Sequence, residues 1–518
     1  MSGPRTLLTV NDLGAERSGM SALDRVSFTI AAGESLTILG DAASGRDALI
    51  RALAGHTARD DVLSGTIAYG EGAALPAAKR TKPPFRLVYL PGAASQPFDP
   101  HGSVLSQLVQ ILARRLDTPR SSAREELRIA LERFPAAPPL GELDRRPAAF
   151  DAMELTWVLL AAAIAQAPDL LIADHAFVDL TPASIKAAVD ALLTEQKRLG
   201  FALIYGASGL KTASYLKSRM IVLRQGKVIE EGTFEKLASG QTHAYTRTLF
   251  KSLPRPSDAP PPRSTSRGEP LLQVQGLDLR DPKEKGPKTR DGISFELRRG
   301  ASLALIGEEG SGRRALVRAL LGLERFAGGR VVLDQVDLSI LSAAMTARLR
   351  RRIAFITGAD DALDPRMTLW DTVDEPLRAH LRLPRDMVAG HRETALKRVG
   401  LASFDGRTPV AALSPYDKRR LQIARAIVGA PFLAVIDEPL RGLDAFAQSI
   451  MIELLEDFRR QEGPAFLVIT ADAGVARVLA EDALFFKDRK VVERGPLREI
   501  LKSPKDEETR RLIDAANL

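Results

Sequence analysis

The chain carries one pattern twice. "GDAASGRDALIRALAG" from Gly40 is matched by "GEEGSGRRALVRALLG" from Gly307, 267 positions later. "APDLLIAD", ending at Asp174, is matched by "APFLAVID", ending at Asp437, and "GKVIEEG", ending at Gly232, by "RKVVERG", ending at Gly495, both pairs 263 positions apart. The tail segments "YTRTL" at Tyr245 and "ETRRL" at Glu508 keep that offset. Offsets this steady point to duplication of a whole domain. Between the copies runs "LPRPSDAPPPRSTSRGEP", Leu253 to Pro270, rich in Pro, Ser and Arg with little to bury, which marks an extended linker. The expected domains are 1–253 and 270–518 with a linker over 254–269, and 518 residues are ample for two cores.

Each copy reads as α/β. A strand ("SLTILG"; "SLALIG") enters a glycine-rich turn and then a helix ("RDALIRALAG"; "RRALVRALLG"), and later a helix ("ELTWVLLAAAIAQ"; "RRLQIARAIVG") leads into a buried strand ("DLLIAD"; "FLAVID"). Short apolar strands alternating with helices imply a parallel sheet covered on both faces. The composition, 45% hydrophobic and 27% charged, is that of an ordinary globular protein. Zero cysteines exclude disulfides, thiol catalysis and Cys-ligated zinc or iron–sulfur clusters, and fit a cytosolic setting. The start, "MSGPRTLLTVNDLG", lacks the apolar core of a signal peptide. The longest apolar stretch, "LTWVLLAAAIA" from Leu155, falls short of the ~20 residues a membrane span needs. The net charge of +8 is dispersed and rarely interleaved with aromatics, so it reads as solvated surface and not as a nucleic-acid face.

The glycine-rich turns have the frame of a phosphate-binding loop: glycine, four residues, glycine, then two key positions. A strand–loop–helix unit of this kind aims backbone N–H groups and a helix N-terminus at one anion. The first loop supplies Gly40, Ser44, Gly45, Arg46 and Asp47, and the second Gly307, Gly310, Ser311, Gly312, Arg313 and Arg314. The key positions normally hold lysine, for the terminal phosphates, and a hydroxyl, for Mg²⁺. Arg46 and Arg313 keep the charge as a bulkier planar fork. Asp47 is able to ligate Mg²⁺ but adds negative charge beside a polyphosphate, whereas Arg314 binds no metal and would instead neutralise phosphate.

The order of segments resembles that of ATP-binding cassette (ABC) proteins. "DEPLRGLD" (Asp437–Asp444) resembles the Walker B and D-loop run, and "LSPYDKRRLQIARAI" (Leu413–Ile427) the signature helix. "DPRMTLWDTVDEPL" (Asp364–Leu377) and the tails "THAYTRTLFKSLP" and "SPKDEETRRLIDAA" are similar to the oligopeptide, dipeptide and nickel importer ATPases. The resemblance implies two P-loop NTPase domains in tandem, each a RecA-like core plus a helical subdomain. It further implies ATP and Mg²⁺ as cofactors, two transmembrane permease subunits and a substrate-binding protein as partners, and a place on the inner face of the membrane reached only through the permeases.

In the family, each ATP lies between one loop and the other domain's signature. Arg46, Asp47, Asp174 and His175 would thus face the signature at Ser414, and Arg313, Arg314, Asp437 and Glu438 would face "FDAME" (Phe150–Glu154). By that analogy Asp437 and Asp174 order the Mg²⁺ shell and Glu438 is the catalytic base; His175, at the equivalent place, is a weak candidate for the same role. Many positions depart from the pattern. The signature glycines are Pro415 and Tyr416 in one copy and Ala152 and Met153 in the other, and Asp151 replaces the serine kept at Ser414. The switch histidine is expected at Gly206 and Ala471, and the Q-loop glutamine at Gly92 and at Thr357 or Gly358. No aromatic suited to stack on adenine stands in "NDLGAERSGM" or "DPKEKGPKTR". Two functions follow as expectations: an importer ATP-binding subunit, or a catalytically inactive pseudo-ATPase that serves as a structural or regulatory module. Tandem cassettes that act on ribosomes need intact signatures and a charged helical connector, which the proline-rich linker does not offer.

Overall fold

The computed structural model describes residues 5–17, 19–41, 43–57, 60–70, 72–79, 83–92, 97–134, 136–240, 242–251, 269–279, 292–340, 345, 349–359, 362–381 and 383–517. All of the expected linker except Glu269 lies outside them, as does "DPKEKGPKTR". The chain divides into two compact units, Met1–Leu253 with Asp444–Phe446, and Pro254–Leu443 with Ala447–Leu518.

In the first unit a six-stranded sheet runs, in spatial order, Lys227–Thr233, Arg219–Arg224, Ser35–Leu39, Ala202–Ala207, Leu170–Asp174 and Leu87–Leu90. Its strands are parallel except for the antiparallel edge strand Lys227–Thr233. A second, antiparallel sheet joins Met20–Ala31, Thr6–Arg17, Asp61–Tyr69 and Leu75–Pro76. The sequence reading anticipated the parallel core but neither the antiparallel edge nor this extra sheet. Those strands alternate buried and exposed residues and lie away from the glycine motif that marked the core.

Period-two alternation on the core strands explains why both sheet faces are covered. Leu170, Ile172, Ala202 and Ile204 pack with Leu49, Ile50 and Leu53 of the helix Arg46–Ala54 and with Leu8, Val10 and Ile30 of the antiparallel sheet. Leu171, Ala173, Leu203 and Tyr205 face the other way, onto helical residues such as Leu108, Leu127, Val158, Leu160 and Leu192. The apolar run from Leu155 forms the helix Ala152–Ile164, whose residues from Leu155 to Ile164 are all buried. A helix apolar all round belongs in a core. No helix among the described residues is long and apolar enough to cross a membrane.

The second unit repeats the plan. Its six strands run Ile353–Thr357, Leu433–Asp437, Ala465–Thr470, Ser302–Ile306, Asp482–Lys487 and Lys490–Pro496, again with only the last antiparallel. The helix Arg313–Leu320 buries Leu316, Val317 and Leu320 against Leu303, Leu305, Val435 and Leu467. In both units the glycine loop and the acid-ended strand therefore finish at the same end of the sheet, where open α/β sheets hold their ligands.

Candidate functional site

The loops turn into their helices through glycines in the left-handed region: Gly45 at φ 90° and Gly312 at φ 101°. A side chain at Gly45 would put Cβ 2.2 Å from the carbonyl oxygen of Ala22, so only glycine fits. Gly40 and Gly307 are closed in by Ser44 and Ser311, whose hydroxyl oxygens would lie 2.3 and 2.6 Å from an added Cβ.

In the first loop much of the hydrogen-bonding capacity is spent internally. The backbone N–H groups of Ala43 and Ser44 donate to Asp41, at 2.9 Å to Oδ1 and 3.1 Å to the carbonyl, and that of Arg46 to Ser44 Oγ at 3.3 Å. Tyr245, from the terminal helix Ala244–Lys251, donates its hydroxyl to Asp41 Oδ2 at 2.7 Å. Arg46 is 3% exposed and curls back: its Nη1 donates to the carbonyls of Gly40 and, at 3.0 Å, Ala207. Its Nη2 and Nε donate to Asp47 Oδ1 at 2.7 and 3.1 Å. Across from them stand Asp174 and His175 at the end of the strand Leu170–Asp174. His175 Nε2 lies 3.4 Å from Asp47 Oδ1 and 3.6 Å from Asp174 Oδ1. The Tyr89 hydroxyl donates to Asp174 Oδ2 at 3.1 Å. Burial alone would push the Asp47 carboxyl up, but the contacts with His175 and Arg46 outweigh it and hold it well below the usual carboxylate range.

The second loop is organised differently. Among the described residues, the backbone N–H groups of Gly310, Gly312, Arg313 and Arg314 have no hydrogen-bond acceptor in the loop or beyond it. Arg313, 2% exposed, forms an ion pair with Glu438 instead of turning to the loop's own carbonyls, with Nη2 2.8 Å from Oε1, while Nη1 and Nη2 are both buried without a hydrogen-bond partner among the described residues. Arg314 Nε lies 3.2 Å from Asp437 Oδ2 and 3.5 Å from Oδ1. Glu309 binds Arg441 at 2.8 Å and Arg314 at 3.5 Å. Glu438 also accepts from the Ala471 N–H at 2.9 Å (Oε1) and from the Thr470 hydroxyl at 3.1 Å (Oε2). Each of its oxygens thus accepts one hydrogen bond. Burial raises the Asp437 carboxyl above its usual value, and Arg314 only partly offsets this.

These contacts test each site against Mg²⁺. In the first unit Asp47, Asp174 and His175 offer ligand atoms that all lie within 4.8 Å of one another, a donor set that fits a divalent cation. In the second unit the residues do not fit one. Both acids there, Asp437 and Glu438, carry a guanidinium, whereas in the first unit Arg46 stands on Asp47 and leaves Asp174 without one among the described residues, and arginine supplies no ligand.

Sheet register corrects one sequence assignment and decides between the alternatives of another. Leu39 pairs with Ala207, and Ile306 with Thr470, so the residue equivalent to Ala471 is Ser208 and not Gly206. Gly206 lies one pairing earlier, opposite Asp174. On the other side Leu90 pairs with Ala173 and Thr357 with Asp437, which makes Gly358 the counterpart of Gly92. A Cβ at Gly358 would lie 2.2 Å from the carbonyl oxygen of Glu438, so that position has no room for glutamine.

The signature residues serve as helix caps. Asp151 Oδ1 accepts from the Glu154 N–H at 2.7 Å while Glu154 Oε2 accepts from the Asp151 N–H at 2.9 Å, a complete capping box. Ser414 accepts from the Asp417 N–H at 3.1 Å and donates to its carboxylate at 2.6 Å, with Pro415 in the first helical position. Neither residue hydrogen-bonds the glycine loop of its own unit.

Sequence reading missed Tyr89, Tyr245, Thr470 and Arg441. Tyr89 had one available signal, its place in the strand Leu87–Leu90 beside the acid-ended strand. Tyr245 opens a repeated tail segment, but nothing local ties that segment to Asp41.

The ABC transporter family model matches residues 23–178 and 290–441. The chain is 28% identical to the uncharacterized ABC transporter ATP-binding protein YejF of Escherichia coli (strain K12), over 98% of this chain and 99% of that protein. It is 28% identical to the glutathione import ATP-binding protein GsiA of Shigella sonnei (strain Ss046), over 96% of this chain and 87% of that one. The solved structure of cbiO1 from Clostridium perfringens, part of the ABC transporter complex cbiONQ, is 24% identical with a TM-score of 0.41, covering 45% of this chain and 92% of that one. With the family's domain matched twice over more than half of its length, and a glycine loop and an acid-ended strand meeting in each copy, the chain belongs to the ABC transporter family as a tandem pair of cassettes.

Proposed function

We propose that the chain is the ATP-binding subunit of a peptide-type ABC importer, which couples nucleotide binding to two transmembrane permease subunits fed by a substrate-binding protein. The observation that carries this reading is the match, over nearly the whole chain, with a protein named for glutathione import, 96% of this chain against 87% of that relative. In this reading the chain sits on the inner face of the membrane through the permeases. The test is co-purification: the tagged chain brings down a permease pair from solubilised membranes, and a soluble fraction without permeases counts against it.

Nucleotide binding is assigned chiefly to the second cassette. Its loop offers the N–H groups of Gly310, Gly312, Arg313 and Arg314, and its two arginines supply the positive charge that lysine and Mg²⁺ supply in the family pattern. Mg²⁺ is dispensable there. Calorimetric titration of ATP with and without Mg²⁺ tests this: equal affinity supports it, and binding that requires the metal overturns it.

A second reading is favoured by one observation: the Glu438 carboxylate is occupied by Arg313, Ala471 and Thr470. A base paired with a buried guanidinium and held by a hydrogen bond on each oxygen is poorly placed to take a proton from water. The chain would then act as a pseudo-ATPase that binds nucleotide as a structural or regulatory signal. Turnover that Glu438→Gln abolishes sinks this reading.

A further inference from the structure

We propose that the first cassette carries a site for one borderline divalent cation of the Mn²⁺, Co²⁺ or Zn²⁺ class, formed by Asp47, Asp174 and His175 and filled without nucleotide. This goes beyond the nucleotide reading and does not depend on it.

The argument begins with spacing. His175 Nε2 stands 3.4 Å from Asp47 Oδ1 and 3.6 Å from Asp174 Oδ1. The first is a long hydrogen bond and the second lies beyond hydrogen-bond distance. They are close to the edge of roughly 3.4 Å that separates two ligands of a tetrahedral cation with ~2.1 Å bonds. The ligand atoms of all three residues lie within 4.8 Å of one another.

An unmet acceptor points the same way. Asp174 Oδ1 is buried and has no hydrogen-bond partner, while Oδ2 is fixed by the Tyr89 hydroxyl at 3.1 Å. A carboxylate held through one oxygen by an outer donor, with the other turned toward neighbouring ligands, is the usual arrangement of a metal-binding carboxylate. The hydrogen bonds of Asp47 all fall on Oδ1, from Arg46 and His175, which leaves Oδ2 as a second ligand atom.

Charge agrees. Two carboxylates face one guanidinium, that of Arg46, whose Nη1 is tied to the carbonyls of Gly40 and Ala207. The set is one positive charge short. In the second cassette the corresponding acids, Asp437 and Glu438, each have an arginine, so a cation has no place there. Among the described residues there is therefore one such site and not two.

Donor type sets the choice of ion. Mg²⁺ demands oxygen ligands and keeps its waters, whereas an imidazole nitrogen beside carboxylates suits borderline first-row ions. His175, standing where the family pattern has glutamate, is what moves the preference.

The experiment titrates the full chain, stripped with chelator and free of nucleotide, with MnCl₂, CoCl₂, ZnCl₂ and MgCl₂ by calorimetry, and follows Co²⁺ by visible absorption. One ion per chain is expected, at least tenfold tighter for Mn²⁺, Co²⁺ or Zn²⁺ than for Mg²⁺. His175→Ala and Asp174→Asn each weaken it tenfold or more with the circular dichroism spectrum unchanged. His175→Glu narrows the gap to Mg²⁺ and alters the Co²⁺ spectrum, which loss of a structural hydrogen bond alone would not do. No uptake of any of the three ions overturns the proposal, as does uptake that His175→Ala and Asp174→Asn leave intact. Because nucleotide is absent throughout, either outcome is independent of whether the second cassette binds ATP.

Discussion

A guanidinium as buried as that of Arg313 persists because Glu438 neutralises it at 2.8 Å and two further donors hold Glu438 in place. Removing one partner of such a pair leaves the other charge buried, at ~3–5 kcal/mol, whereas replacing both costs far less. Arg313→Met is therefore expected to lower the stability of the chain by about 3 kcal/mol, and the Arg313→Met, Glu438→Gln double variant to recover most of it. Denaturant unfolding of the four proteins measures the coupling, and purely additive losses would show that the pair is not one unit. Asp47 behaves differently because its side chain is 44% exposed. Its carboxyl is held low by His175 and Arg46 against the opposing effect of burial, so its contribution is fully present above the unfolded value of about 3.9 and disappears as pH falls through the lower folded value. In metal-free buffer Asp47→Asn should lower the melting temperature slightly at neutral pH, by the equivalent of ~1 kcal/mol or less after solvent screening. The difference from the parent should persist down to about pH 4 and close only below it. A difference that vanishes above pH 5 would contradict the depressed value.

At the scale of elements, the core strands, the glycine loops and their helices could be read from the sequence because each carries its own periodicity or turn chemistry. The grouping of Asp47 with Asp174 and His175, and of Arg313 and Arg314 with Asp437 and Glu438, came from the resemblance that the loops and the strands "DLLIAD" and "FLAVID" carry, and the structure brings each group together. What remained hidden was set by register and by distant segments. The resemblance puts the switch position at Gly206, yet the pairing of Leu39 with Ala207 gives that place to Ser208. The ion pairs of Arg313 and Arg314 were equally illegible, since their side chains could as well have turned to a phosphate. Asp151 illustrates the same limit. On sequence it is a carboxylate at a phosphate-facing position, whereas here it closes a capping box with Glu154. Asp151→Ala should therefore cost ~1 kcal/mol of stability, and Asp151→Ser, which still caps, only a few tenths. Thermal unfolding ranks the two. Equal losses would mean that the cap contributes nothing. At Gly358 the constraint is steric. Glutamine there would have to displace the Glu438 backbone from 2.2 Å, so Gly358→Gln should destabilise by ~1–3 kcal/mol instead of restoring a family motif.

At the scale of the whole molecule, two copies of one domain have come to hold complementary remnants of one site. The first keeps ligands for a cation, but its loop N–H groups at Ala43, Ser44 and Arg46 are spent on Asp41 and Ser44, and it has an imidazole where the base should be. The second keeps open loop N–H groups and the acid pair, but each acid is neutralised by an arginine one or two residues beyond Gly312. A positioned base is worth ~10²–10⁴ in rate, so the pseudo-ATPase reading proposed above predicts slow turnover at either half. If arginine stands in for the metal in the second cassette, giving the loop the residues that its frame normally carries should reverse the exchange. In the Arg313→Lys, Arg314→Ser double variant Asp437 loses its guanidinium and gains a neighbouring hydroxyl, the pairing that holds Mg²⁺ in phosphate-binding loops. ATP binding by that variant should become Mg²⁺-dependent, tightening at least tenfold when the metal is added, while the parent chain shows no such change. Calorimetry in matched buffers with and without Mg²⁺ reads this directly. A double variant that binds ATP as the parent does, indifferent to the metal, would show that Arg314 does not occupy the place of the cation.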